Sequence, residues 1–395
     1  MNFIPLSIPN FEGNERQYVD DAVAQGWVST GGAYITLLEK EMAAFLNTEE
    51  VAACQSGTSG LHLALIDAAV QSDDIVIVPS LTFIAAVNPV RYQFAETVFM
   101  DCDDSLCIDP IKIEDFCEKE CEFRKGHLIH RESGKCVKAV VVVHVFGNMA
   151  DMEAITDIAE RYNLIVIEDA TEALGTKYTA GRFTGKYAGT IGDYGVFSFN
   201  GNKIITTGGG GAVTAKKVAA IRHMRYLSTQ AKDDPLFYVH NEIGYNYRMT
   251  NVQAAIGVAQ LEELQEFIGR KQKNYDLYRR EFDGCPYCEL LKFREGTDSN
   301  KWFYSLKIDF SQFNFQVRDL ISILQKKGIQ TRAIWSLIHH QKPYRDSIAY
   351  RIEDAEKYSA SILNIPCSTQ ITESEIRLVA RQIKEILGEY FHGGQ

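Results

Sequence analysis

Four short apolar, largely β-branched runs constrain this chain more than any other feature: Ile75–Val78, Thr97–Met100, Val140–Val145 and Leu164–Ile167, each followed by polar or turn residues. None alternates polar with apolar, so each suits a strand buried on both faces, as in a parallel sheet covered by helices. The intervening segments SGLHLALIDAA and DMEAITDIAERYN carry helical patterns, which gives repeated strand–helix–strand crossings and predicts an α/β domain over residues 14–250. Beyond residue 250 the pattern changes. NVQAAIGVAQLEELQEFIGRKQKNYDLYRREF reads as one long helix, followed by shorter elements in WFYSLKID and VRDLISILQKKG. These predict a smaller α+β domain over 251–395, joined by residues 1–13. A chain of 395 residues exceeds what one core usually supports, in keeping with two domains.

With 46% hydrophobic and 24% charged residues, the chain has the composition of a folded globular protein. A formal net charge of −11 and the lack of a long basic run exclude a nucleic-acid surface but leave room for a basic pocket taking a small anion. MNFIPLSIPNFEGNERQYVDD has neither a charged n-region nor an apolar h-region, and no run approaches the ~18 apolar residues of a membrane span. The expected location is the cytoplasm, with no membrane partner. Nine cysteines then read as reduced thiols. Cys285-Pro286-Tyr287-Cys288 has redox spacing but sits among turn residues rather than opening a helix. Cys117, Cys121, His127, His130 and Cys136 match no common zinc spacing, and the segment reads as a solvated insertion with a hairpin around Ser133-Gly134. No metal is expected.

Ligands of open α/β sheets bind beyond the carboxyl ends of the strands. Three such ends carry suggestive residues. After the strand around VAAC, Gln55-Ser56-Gly57-Thr58-Ser59 opens a helix, either as a simple N-cap or as a cradle in which free amides meet a phosphate. After LIVIE comes Asp169, either a helix cap or the partner of a cationic ligand group. In FSFNGNKIITTGGGGAV, Lys203 lies beside an apolar pair and a glycine run, where an ammonium gains little packing and loses hydration. A desolvated lysine is a nucleophile toward an aldehyde. Phosphate anchor, carboxylate and nucleophilic lysine together are what pyridoxal 5′-phosphate needs, the carboxylate keeping the ring nitrogen protonated.

The pieces GWVSTGGAY, SGTSGLHLAL, PSLTFIAAVNPV, HVFGN, IEDATEALG, GDYGVFSFNGNKIITTGGGG, GYNYRMTNVQAAIG and WSLIHHQKPY extend over nearly the whole chain. In order and spacing they resemble the DegT/DnrJ/EryC1/StrS nucleotide-sugar aminotransferases, and among these the enzymes that aminate C4 of UDP-4-keto-6-deoxy-N-acetylhexosamines. The resemblance implies a fold type I aminotransferase, L-glutamate as amino donor and a homodimer with shared active sites. It implies that Lys203 links covalently to the cofactor aldehyde and carries the proton. Asp169 would pair with the pyridine nitrogen, Glu172 contact the phenolic oxygen, and Phe83 stack on the ring. Gly57, Thr58 and Ser198 would hold the phosphate, with Asn246 reaching it from the neighbouring subunit. Arg248 matches a position near the nucleotide or diphosphate, and Ser29, His339 and Tyr344 match sugar-pocket positions. Family members often read TTGEGG where this chain has Gly209, and relatives acting on N-acetylated amino sugars tend to lack that glutamate.

Three rivals stand beside this reading. Pyridoxamine-dependent dehydratases carry histidine where Lys203 stands here. A non-catalytic regulator keeping the fold would have no need of the cofactor residues. A nicotinamide enzyme would show GxGxxG after its first strand, whereas GGGG here follows the lysine. A GDP-linked 4-keto-6-deoxy sugar is the alternative substrate.

Overall fold

The computed structural model describes residues 3–391; residues 1–2 and 392–395, the ends of the expected C-terminal unit, lie outside the described residues. The apolar runs form the middle of a ten-stranded sheet. Its main path runs Ala52–Cys54, Gly211–Ala215, Tyr194–Ser198, Ile165–Asp169, Cys136–Val143, Asp74–Pro79, Glu96–Met100 and Ile348–Tyr350. From Tyr194–Ser198 onward every neighbour on this path is parallel, whereas Gly211–Ala215 is antiparallel to both of its neighbours. The fold is α/β of the type I aminotransferase kind, a mostly parallel sheet flanked by helices. Residues Ile75 to Val78 are all fully buried, which explains the missing polar alternation. Each such side chain stabilises the fold by about 1.5–3 kcal/mol relative to exposure.

Two helices that begin beyond sheet strands start at side-chain caps. Ser56 and Ser59 close a capping box at Gly57–Asp67, and Asp151 caps Met152–Tyr162. The expected single helix after residue 250 is two, Asn251–Glu262 and Leu264–Phe282, separated at Glu263. The first packs against helices Glu15–Ala24 and Ala33–Leu46, the second against Glu373–Tyr390, and one straight rod could not follow both surfaces. A four-stranded antiparallel sheet, in the order Glu289–Leu290, Tyr304–Lys307, Ile362–Ile365, Arg332–Ala333, lies in this later part of the chain. The strand Ile348–Tyr350 leaves that part and pairs with Glu96–Met100.

The cysteines are all free. Cys285 and Cys288 bring their sulfurs to 3.7 Å. Cys117 and Cys121 are buried, and His130 is held by Ser133 at 2.9 Å, so the five zinc-like residues do not converge. Cys117 lies in the helix Pro110–Lys119, and the other four belong to a double turn in which Cys121–Arg124 pairs with His127–His130, which in turn pairs with Cys136–Val143 across Ser133-Gly134. Among the described residues no helix is long and apolar enough to cross a membrane.

Candidate active site

The ends of three neighbouring strands and one helix open into a cavity of about 430 Å³. Gly57, Thr58, Phe83, Asp169, Glu172, Ser198 and Lys203 all line it. On one side is the N-terminus of Gly57–Asp67. Its capping box uses the Ser59 amide, which donates to Ser56 Oγ at 3.0 Å, while the Gly57 and Thr58 amides have no acceptor among the described residues. A β-carbon on Gly57 would stand 2.8 Å from Thr171 Cγ2 and 3.1 Å from Ser198 Cβ. Glycine therefore keeps open a concave patch of free amides beside the Ser198 hydroxyl, the shape and polarity a phosphate requires.

Asp169 ends its strand buried, with the Thr171 amide donating to Oδ1 at 3.1 Å. One residue earlier, Glu168 is completely buried and accepts from the Gly189, Ile191 and Gly192 amides at 2.9, 2.6 and 2.5 Å. His144 donates to the same carboxylate from Nε2 at 2.8 Å, since its Nδ1 accepts from the Ala150 amide. This network fixes the strand end from below. Burial holds the Asp169 carboxyl above the usual carboxylate range, opposed by its Thr171 hydrogen bonds and the Lys203 charge.

Glu172 is buried as well, and burial pushes its carboxyl upward against the pull of Lys203. The Phe146 amide donates to its Oε2 at 2.8 Å, while Lys203 Nζ lies 3.5 Å from Oε1. Phe146 achieves this with φ at 56°, a left-handed conformation unusual for a bulky side chain. Lys203 also sits 4.1 Å over the Trp302 ring, whose Nε1 donates to the Asn202 carbonyl at 2.7 Å. Behind the lysine, Gly210 turns the chain at φ 135°, where a β-carbon would lie 2.4 Å from Thr207 Oγ1.

Asp169 and Glu172 thus face a single ammonium inside one cavity. A ligand with a cationic ring nitrogen and a phosphate would balance the second carboxylate and occupy the free amides, so the residues present fit pyridoxal phosphate. Trp302, Phe303, Trp335, Arg332 and Asn364 close the cavity from the C-terminal part of the chain. Sequence reading missed these five. The aromatic density of KWFYS and AIW was the signal available.

Within one chain, Ser29, Asn246, Arg248, His339 and Tyr344 do not line this cavity. Arg248 is engaged by the Glu39 carboxylate and donates to the Ala53 carbonyl at 3.2 Å. Tyr344 is buried, its hydroxyl donating to Asn88 Oδ1 at 2.7 Å. His339 Nδ1 is 2.6 Å from Ser80 Oγ. The Ser29 carbonyl accepts from the Asn251 amide at 2.6 Å, with the residue exposed. Asn246 is exposed beside Thr229.

The sequence profile of the DegT/DnrJ/EryC1/StrS aminotransferase family matches residues 9–384. The chain belongs to that family. It is 34% identical to a GDP-perosamine synthase of Caulobacter vibrioides, with 97% of this chain and 98% of the relative aligned. It is 26% identical to the UDP-4-amino-4,6-dideoxy-N-acetyl-beta-L-altrosamine transaminase of Campylobacter jejuni, over 91% of each chain. Its fold superposes on DesI, solved in the presence of its TDP-sugar product, with a TM-score of 0.87 at 25% identity over 98% of this chain and 93% of that one. The chain is a sugar aminotransferase acting on nucleotide-linked sugars, and its cofactor is pyridoxal 5′-phosphate.

Proposed function

We infer that this aminotransferase moves the amino group of L-glutamate to C4 of a UDP-linked 4-keto-6-deoxy-N-acetylhexosamine. The observation that carries the reading is the convergence of Lys203, Asp169, Glu172 and the free amides of Gly57 and Thr58 on one cavity. When bound, pyridoxal phosphate supplies an electron-accepting ring that makes the carbon next to the amine acidic.

The chain supplies the rest. Gly57, Thr58 and Ser198 hold the phosphate, and Asp169 presents a buried negative charge to the ring nitrogen. Phe83, more than half exposed at the cavity wall, offers a flat apolar face for the ring. Glu172, fixed by the Phe146 amide, orients Lys203, whose Nζ accepts and returns the proton on the reacting carbon. Trp302 and Phe303, stacked at 4.1 Å, keep water from that side.

Gly209 supports an N-acetylated sugar. It lines the cavity, and the nearest atom to a β-carbon there is Gln253 Nε2 at 3.6 Å, so the space a glutamate would fill stays open. The GDP-linked reading is favoured by the higher identity to the GDP-perosamine synthase. A glutamate-dependent assay on UDP- and GDP-linked 4-keto-6-deoxy sugars decides between them. Here kcat/KM should be at least tenfold higher for the UDP-linked N-acetylated sugar, and faster turnover of the GDP-linked panel would replace this reading. A protein that binds no pyridoxal phosphate, seen as a colourless purified chain after reconstitution, would instead be the non-catalytic alternative.

The working unit in this reading is a homodimer. Leu236, Phe237 and Ile243 are 81%, 78% and 83% exposed on the segment that leads to Asn246, an apolar patch suited to a second copy. Asn246, and with it Ser29 and Arg248, would complete the partner's cavity rather than their own. Leu236→Asp combined with Phe237→Asp is expected to convert the dimer to monomer in light scattering and to remove activity; an active monomer would refute the shared site.

A further inference from the structure

Three segments of the chain meet behind the reacting lysine, and one buried side chain joins them without entering the cavity. Asn300 is fully buried, and its amide is used at both ends. Nδ2 donates to the Glu172 carbonyl at 3.0 Å and to the Leu174 carbonyl at 2.9 Å, while Oδ1 accepts from the Trp302 amide at 3.0 Å. Its own main-chain amide donates to Thr176 Oγ1 at 3.0 Å. The Gly147 carbonyl in turn accepts from Thr176 Oγ1 at 2.9 Å and from Ser299 Oγ at 2.7 Å. Gly147 holds φ at 89°, and a β-carbon there would overlap Asn300 Oδ1. The Trp302 carbonyl accepts from the buried Lys271 Nζ at 2.7 Å, so this tryptophan is anchored on both sides of its main chain.

Glu172 and Trp302 are the two groups that Lys203 meets, at 3.5 Å and 4.1 Å. They come from distant parts of the chain, so the width of the slot between them is a tertiary property. Asn300 sets it, being bonded to the main chain of both. Only an amide of this length turns two donors toward two carbonyls and an acceptor toward an N–H; an aspartate would present oxygen to both carbonyls, and a leucine carbon. Losing it leaves three main-chain groups of buried residues without these partners. Misplacing a reacting group by about 1 Å lowers its rate roughly 10²-fold. On the reading of the function given above, in which Lys203 moves the proton, we propose that Asn300 is a positioning residue that fixes Lys203 between Glu172 and Trp302.

The test compares Asn300→Ala and the milder Asn300→Ser with the parent, each as full-length protein with and without pyridoxal phosphate. In the cofactor-free proteins, reductive methylation by formaldehyde and cyanoborohydride is followed at each lysine by peptide mass spectrometry. Lys112, a buried lysine bonded to Glu353 and to the Arg351 carbonyl, reports general loosening. Lys203 should be methylated at least fivefold faster in Asn300→Ala, with Lys112 within twofold. In the loaded proteins, rapid mixing with L-glutamate should show a maximal rate at least tenfold lower, with the half-saturating glutamate concentration within twofold. Asn300→Ser, whose hydroxyl can still donate to one carbonyl, should fall between on both measures, and it carries the comparison alone if the alanine variant does not fold. An unchanged Lys203 methylation rate, equal acceleration at Lys112, or a loss confined to the half-saturating concentration would overturn the proposal. A native protein inactive on every sugar ends the functional reading, yet the methylation ratio still decides what Asn300 does.

Discussion

Lys203→Ala is expected to lower turnover by about 10⁴-fold or more, roughly 5 kcal/mol of barrier, and to abolish the visible absorbance of the lysine-linked cofactor. No other side chain of the cavity offers an amine. Glu172 and Asp169 are acidic and buried, and Arg332 carries a guanidinium. Removing the ammonium also leaves two buried carboxylates without their shared cation, so the alanine variant is expected to melt earlier as a cofactor-free protein. Lys203→Arg separates the two roles. It keeps the positive charge against Glu172 and should restore much of the melting temperature without restoring turnover. Substantial turnover by either variant would remove Lys203 from the chemistry.

Asp169→Asn is the second large effect, and it has opposite signs for activity and stability. An amide cannot neutralise a protonated ring nitrogen, so turnover should drop by roughly 10²–10³-fold, within the usual range for a missing acid–base or electrostatic group. In the cofactor-free protein, burial raises the Asp169 carboxyl above its ordinary value. A carboxyl raised on folding binds its proton more tightly in the native state than in the unfolded one. Its favourable contribution is therefore complete below the unfolded pKa and disappears as pH rises through the folded pKa. At neutral pH the native state carries the full desolvation penalty. The cofactor-free Asn variant should accordingly melt higher than the parent at neutral pH and show less fall in melting temperature between acid and neutral conditions. Thermal melts across that range, with and without pyridoxal phosphate, test this. An Asn variant that melts lower at neutral pH would mean that the carboxylate is stabilising there.

The central strands were legible because full burial on both faces leaves an unmistakable residue pattern, and Ile75 to Val78 fall inside the observed strand. Their borders were less so. The run expected to continue to Val145 stops at Val143, where the chain turns through Phe146 with positive φ, a choice made by the Glu172 carboxylate twenty-six residues later in sequence. The antiparallel direction of Gly211–Ala215 left no trace in composition, since strand direction is set by the path of the preceding loop. The break at Glu263 has no proline or glycine to announce it; tertiary packing of the two halves against different helices decides it. Lys203 and Asp169 could be singled out because a charged residue at the end of an apolar run has few structural reasons to be there, whereas Glu172 entered only through the family resemblance. Arg332 and Asn364 were not legible, because strands of two and four residues carry too little periodicity to show which face looks into a cavity.

The strained turn at Phe146 has a mechanical corollary. Its ring, carried on the large sheet, lies 4.8 Å from that of Trp335 and 5.5 Å from that of Phe303, both delivered by the later part of the chain. The seam above the reacting lysine is therefore a continuous tile of aromatic faces, and sliding one sheet along the other would have to unstack it.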